Sequence, residues 1–224
     1  MTFAGRLEQV SARITSAAAR AGRDPDDVTL IAVSKSFPSH VIAEVLDAGV
    51  RDLGENRAQE LKEKAAVLGP RPRWHFIGHL QTHKVRQVVG TARLIHSVDR
   101  IGLADAIARR ALGIVQDVLI EVNISGERSK HGVEPPGAVP LALAVEELDH
   151  VRVRGLMTVP PFPEQPEDSR PFYRDLAELG ARLRSELPGA DELSMGMTRD
   201  FEVAVEEGAT LVRVGEAIFG PRPA

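Results

Sequence analysis

The 224-residue chain contains no cysteine, which excludes disulfides and thiolate metal sites. No apolar stretch approaches the roughly 20 residues that span a bilayer, and no signal-peptide apolar region opens the chain. These absences point to the cytoplasm, with no membrane partner. A charge excess is missing too: 28 basic and 32 acidic residues leave a net charge of −4. Bulk electrostatics therefore give no reason to expect nucleic acid. There is no Gly-x-Gly-x-x-Gly fingerprint, no Walker loop and no Gly-x-Ser-x-Gly elbow. No break in composition divides the chain, and 43% hydrophobic residues suffice for a core. One domain over residues 1–224 is expected.

What is present is alternation. Short apolar runs at Thr29–Val33, Val50–Leu53, Trp74–Ile77, Leu94–Val98, Asp117–Val122, Val151–Met157, Glu192–Ser194 and Thr210–Val214 read as strands. Helical patterns begin near Ser39, Arg57, Thr82, Arg100, Gly137, Asp168 and Thr198. Strict β/α alternation predicts an α/β fold, a single (β/α)8 TIM barrel; periodicity does not show closure, so a doubly wound open sheet is the alternative. An extra helix precedes the first strand. Its Arg6, Arg13 and Arg20 have the look of an amphipathic transit peptide, but the stripe of Leu7, Val10, Ile14, Ala17 and Ala21 reads as a helix packed on the body.

A barrel builds its site at the C-terminal ends of the strands. Lys35 follows the first strand, where a partly desolvated amine can become a Schiff-base nucleophile or simply reach water. Ser194-Met-Gly-Met-Thr198 follows the seventh strand, with Gly196 in its turn, and a helix Thr198–Glu207 is expected to direct its N–H groups at a phosphate. The competing reading makes Thr198 an N-cap. Gly215 and Glu216 follow the eighth strand and supply a second close-approach turn. Arg213 within that strand is either a rim ion pair or a donor to a ring nitrogen or oxyanion. His75, His79 and His83 would align only on one helix, which strand Trp74–Ile77 and Gly78 interrupt, so no metal site is expected there. Glu55, Asp99 and Glu121 leave a paired-carboxylate hydrolase open, with nothing to set their separation.

Taken in order, Ala32-Val-Ser-Lys35, Gly54-Glu-Asn56, His75-Phe-Ile-Gly78, Glu121-Val-Asn-Ile-Ser125, Arg154-Gly-Leu-Met157, Ser194-Met-Gly-Met-Thr198 and Arg213-Val-Gly215 resemble the pyridoxal phosphate homeostasis protein family. The resemblance covers essentially the whole chain. It implies an alanine-racemase-like barrel of fold type III, without the C-terminal β domain, that binds pyridoxal 5′-phosphate (PLP). Lys35 would be the Schiff-base lysine. Ser194, Thr198 and the Gly215 backbone would hold the phosphate, Arg213 would face the pyridine nitrogen, and Asn56 and Met157 would line the ring pocket. The family implies a carrier or regulator with no clear catalytic reaction; PLP-dependent apo-enzymes as recipients and a monomeric state are the accompanying expectations. A PLP-dependent amino-acid racemase is the alternative. Its opposite-face base is not apparent, because the only tyrosine, Tyr173, follows the Pro-rich loop 159–168. A third possibility is a different phosphorylated metabolite, with Lys35 as an ion-pair partner.

Overall fold

Eight short runs, most of them apolar, become eight parallel strands in the computed structural model, which describes residues 2–221. They are β1 (Thr29–Val33), β2 (Asp52–Glu55), β3 (Arg73–Phe76), β4 (Leu94–Val98), β5 (Gln116–Glu121), β6 (Val151–Met157), β7 (Glu192–Met197) and β8 (Leu211–Val214). Each pairs with the next, and β8 pairs with β1 through Thr29↔Leu211 and Ile31↔Arg213. The sheet is a closed barrel, and the open doubly wound alternative is overturned. Strands β1, β4 and β6 have the ends expected from the sequence. Strand β7 runs three residues further than expected, to Met197.

The helices are α1 (Phe3–Arg20), α2 (Ser39–Asp47), α3 (Ala58–Leu68), α4 (Ile101–Arg110), α5 (Pro135–Glu146), α6 (Arg170–Glu186), α7 (Phe201–Glu206) and α8 (Glu216–Phe219). The crossover from β3 to β4 uses a 3-10 segment, Thr82–Gln87, where the pattern suggests an ordinary helix. Eclipsed i, i+3 side chains limit such segments to short pieces.

Helix α1 explains its arginines. Val10, Ile14, Ala17 and Ala18 are buried, and the helix packs on α7 and α8. Arg13 pairs with Glu202 and Arg20 with Glu206, both at 2.7 Å, while Arg6 Nη1 donates to the Ile218 carbonyl at 3.3 Å. Edge-on contact of Phe3 with Phe219, itself stacked on Phe37, ties the helix to the β1 turn. The seven-residue arginine spacing thus serves an interface, Arg13 and Arg20 with acidic α7 and Arg6 with α8. No helix among the described residues is long and apolar enough to cross a membrane.

Inside the barrel, Ile31, Leu94, Leu119, Met157 and Leu211 form an apolar layer. Such layers fill the interior of this architecture. Gly155 on β6 has φ +144°, and a Cβ there would stand 1.9 Å from the Glu192 carbonyl oxygen on β7. A clash with backbone inside a closed sheet has nowhere to relax. Gly155→Ala is expected to cost more than about 3 kcal/mol or to prevent folding; urea unfolding followed by circular dichroism measures it.

Candidate functional site

The C-terminal ends of β1, β2, β7 and β8 surround a cavity of about 690 Å³. Lys35, Asn56, Thr198, Arg213, Gly215 and Glu216 all line it. Lys35 is half-buried and sits in a turn closed by the Phe37 N–H donating to the Ser34 carbonyl at 3.1 Å. Ser36 holds φ +69°, uncommon for a residue with a side chain. Its N–H donates to Glu60 Oε2 at 3.1 Å.

Below that turn lies a buried ion cluster. Lys64 Nζ donates to Glu55 Oε1 at 2.6 Å, to Glu60 Oε2 at 3.0 Å and to the Ser34 carbonyl at 3.0 Å. Ser34 Oγ donates to the same Glu55 oxygen at 2.6 Å. Burial pushes the Glu55 carboxyl up, and its contacts with Lys64 and Ser34 oppose this. Residues on both sides of Lys35 are therefore held by one charge cluster. Glu55 is fully buried and engaged in this cluster, which removes it from any paired-carboxylate chemistry.

Asn56 directly follows β2, with its Oδ1 buried and unpartnered. Gly78 allows this placement, because a Cβ there would lie 2.1 Å from the Asn56 carbonyl oxygen. Across the cavity, Thr198 Oγ1 accepts from the Gly215 N–H at 3.4 Å, so the turns after β7 and β8 meet. The expected helix from Thr198 is a correction: α7 starts at Phe201 and spans only six residues. Buried Asp200 precedes it, accepting from the Met197 N–H at 2.8 Å and from Ser169 Oγ at 2.7 Å. With a carboxylate at that point, the helix dipole gives no support to an anion at Thr198.

Three expected site residues lie behind the cavity wall. Met157 belongs to the apolar layer. Gly196 has φ +89° and packs under α7, where a Cβ would meet Ala204 Cβ at 2.5 Å. Ser194 is fully buried and belongs to a chain of hydrogen bonds along the barrel interior. Arg213 Nη1 donates to Ser194 Oγ at 2.6 Å, leaving the hydroxyl proton for His96 Nδ1 at 2.9 Å. His96 Nε2 then donates to His75 Nδ1 at 3.0 Å, and His75 Nε2 to Asp52 Oδ1 at 3.0 Å. This tautomer assignment uses every proton once. Burial, reinforced by the Arg213 charge, holds His96 well below its ordinary pKa and therefore neutral. Arg213 Nη2 donates to the Thr158 carbonyl at 2.7 Å, which fixes the guanidinium plane against the cavity.

Two further groups limit the chemistry. Glu121, at the end of β5, has an unpartnered Oε2, and burial followed by the Asp99 charge raises its pKa to about 7. Tyr173 on α6 is fully buried, and burial together with the Asp200 charge pushes its hydroxyl far above the ordinary phenol value. The three spaced histidines part company: His75 is in the interior, while His79 and His83 are exposed. Sequence reasoning missed Glu60, Lys64 and His96. Glu60 and Lys64 are i, i+4 neighbours on α3, a spacing that could have flagged the pair.

The alanine racemase N-terminal domain family matches residues 6–223. A pyridoxal phosphate homeostasis protein of Aquifex aeolicus is 50% identical over 226 residues, covering 99% of both chains. The chain belongs to this family. PipY of Synechococcus elongatus PCC7942, solved with PLP bound, superposes with TM-score 0.82 at 34% identity, covering 98% of this chain and 100% of that one. Alanine racemase of Corynebacterium glutamicum gives TM-score 0.68 at 16% identity, covering 97% of this chain and 62% of the racemase. That likeness shows the barrel fold alone. The alanine-racemase-like barrel expected from the motifs is therefore present.

Within this family member, Lys64→Met would leave Glu55 as an uncompensated buried charge. It is expected to cost about 3–5 kcal/mol in denaturant unfolding. Glu121 provides a pH test. Its folded pKa of about 7 lies above the ordinary 4.5, so the folded state holds a proton that the unfolded chain releases, and stability drains away as pH rises between those values. Glu121→Gln removes the effect. The variant should gain on the native protein from about pH 4.5 to about pH 7, reaching about 3 kcal/mol and then levelling off. Unfolding of both proteins across that range measures the gap.

Proposed function

We propose that the chain binds PLP in the cavity at the barrel mouth and serves intracellular PLP homeostasis, as one cofactor-binding domain over residues 1–224. The observation that carries this reading is the convergence of Lys35, the joined Thr198–Gly215 turns and Arg213 on a single cavity. The residues present fit the cofactor. An amine stands at one wall and a hydroxyl with glycine backbone at another. A fixed guanidinium forms a third side, and buried Asn56 Oδ1 lacks a partner. The 50% identical relative named for PLP homeostasis and the PLP-bound PipY structure support the same reading.

When bound, the cofactor supplies an aldehyde that a lysine amine captures reversibly. Lys35 provides that amine, and the Ser34–Glu55–Lys64 cluster holds its turn in place. Thr198 and the Gly215 backbone bind the phosphate, with Glu216 at the rim. Arg213 would face the ring nitrogen of bound cofactor, where a guanidinium donor would disfavour its protonation and so weaken electron withdrawal by the ring. Asn56 contacts the ring. Ser194 acts through Arg213, Met157 supports the floor and Gly196 shapes the turn.

The protein is a carrier without a catalytic reaction of its own: a cytoplasmic monomer that passes PLP to apo-enzymes. Tyr173, the only tyrosine, is buried and strongly disfavours ionisation, so it does not serve as the second base of a racemase. Borohydride treatment of the PLP-loaded protein should fix one pyridoxyl group on Lys35 by peptide mass spectrometry. Lys35→Ala should remain unlabelled and colourless. Labelling that persists in Lys35→Ala would overturn the assignment, and α-proton exchange of amino acids in deuterated water, lost in Lys35→Ala, would overturn the carrier reading.

A further inference from the structure

On the far side of the closed ring from β1 and β8, three ligand-type side chains meet at the ends of β3, β4 and β5. They are His79, Asp99 and His131, and a ligand atom of each lies within 4.8 Å of the other two. The imidazoles of His79 and His131 stack at 3.8 Å with 15° between their planes. Asp99 Oδ2 stands 3.9 Å from His79 Nδ1, too far for a hydrogen bond. Asp99 Oδ1 is taken by Arg100 at 2.5 Å, which leaves Oδ2 facing the histidine pair. Among the described residues, this is the one group of three such side chains close enough to share an ion.

We propose that His79, Asp99 and His131 bind a zinc-class divalent cation at the barrel mouth, with the fourth position open to water or another ligand. Two imidazole nitrogens and one carboxylate oxygen suit zinc, whereas magnesium and calcium prefer oxygen alone. Tetrahedral bonds of about 2.0–2.1 Å place ligand atoms about 3.4 Å apart. Side chains on exposed turns need to close by up to about 1.4 Å, and the stacked imidazoles must turn so that their in-plane nitrogens converge, to reach that geometry.

The backbone keeps all three in range. His79 follows Gly78, which is pressed against the Asn56 carbonyl. His131 lies on a loop tied at its base, where the Asn123 N–H donates to the Val133 carbonyl at 2.9 Å and the Val133 N–H to the Glu121 carbonyl at 2.8 Å. The next residue, Gly132, has φ +111°, and a Cβ there would stand 2.5 Å from the Asn123 nitrogen. A dication would also offset the repulsion between Asp99 and buried Glu121, whose Oε2 is unpartnered. Bound metal would then pin the His131 loop to the β3 and β4 rim.

The test is calorimetric titration of the full chain, free of any added histidine tag, with zinc chloride and separately with magnesium chloride. The expected result is one zinc ion per chain, no comparable magnesium binding, and at least about tenfold weaker binding for His79→Ala and for His131→Ala. Cobalt should give the visible spectrum of a tetrahedral site, and both signals should vanish in the double variant, checked for folding by circular dichroism. Zinc should also slow tryptic cleavage at Arg128 and Lys130. No saturable zinc binding, or unchanged binding by the double variant, would overturn the site; unchanged cleavage despite binding would overturn the pinning. Lys35 and its cavity play no part in the experiment, so the result stands apart from the PLP reading.

Discussion

The seam between β8 and β1 is the constraint on which the candidate site depends. Pairing Ile31 with Arg213 closes the barrel and brings the ends of the first and last strands side by side. The two strand ends lie in direct contact range, since a Cβ on Gly215 would meet the Val33 carbonyl oxygen at 3.4 Å, an ordinary van der Waals distance. Without closure, Lys35 and the Gly215 turn would sit on opposite edges of an open sheet. With it, an amine and an anion-binding turn share one cavity.

Closure also encloses charge, and the structure handles each enclosed charge in its own way. Lys64 and Glu55 form a compact ion pair with Ser34 and Glu60 as additional partners, and these contacts offset part of the desolvation cost. Arg213 is spread over a carbonyl and a hydroxyl, and the hydroxyl leads into the His96–His75–Asp52 chain. Buried polar networks of this kind help specify one arrangement of a core, although Glu55 Oε2 has no hydrogen-bond partner. The first holds the Lys35 turn and the second fixes the plane of Arg213. The cavity's chemistry is thus rigidly supported from below.

Much of this was legible before any coordinates. Apolar runs bounded by turn residues overlapped all eight strands, because a buried parallel strand favours apolar side chains on both faces; the second strand, Asp-Leu-Gly-Glu, lies two residues beyond the expected Val50–Leu53 because its carboxylates are paired within the barrel. The rim positions Lys35, Asn56, Thr198, Arg213, Gly215 and Glu216 do gather on one cavity. Ser194, Met157 and Gly196 do not: Ser194 and Met157 point into the packed barrel interior below the cavity, and Gly196 packs under α7 where the β7 register is irregular between Ser194 and Met197. The start of α7 was misplaced because Thr198 offers a plausible N-cap, while the actual turn is organised by Asp200 through side-chain bonds that pattern alone does not reveal.

The sequence by itself determined the repeating β/α order, the lysine at the end of the first strand, the glycine turns after the last two and the family resemblance. These are local properties: apolar periodicity, turn chemistry and motif order. Tertiary structure alone decided that the sheet closes and that Ser194 serves Arg213 from within. It also decided that Lys64 underpins Lys35, and that His79, Asp99 and His131 face one another. Each of those depends on contacts between distant segments, and chain order does not encode which side chains meet once eight strands have curled into a ring.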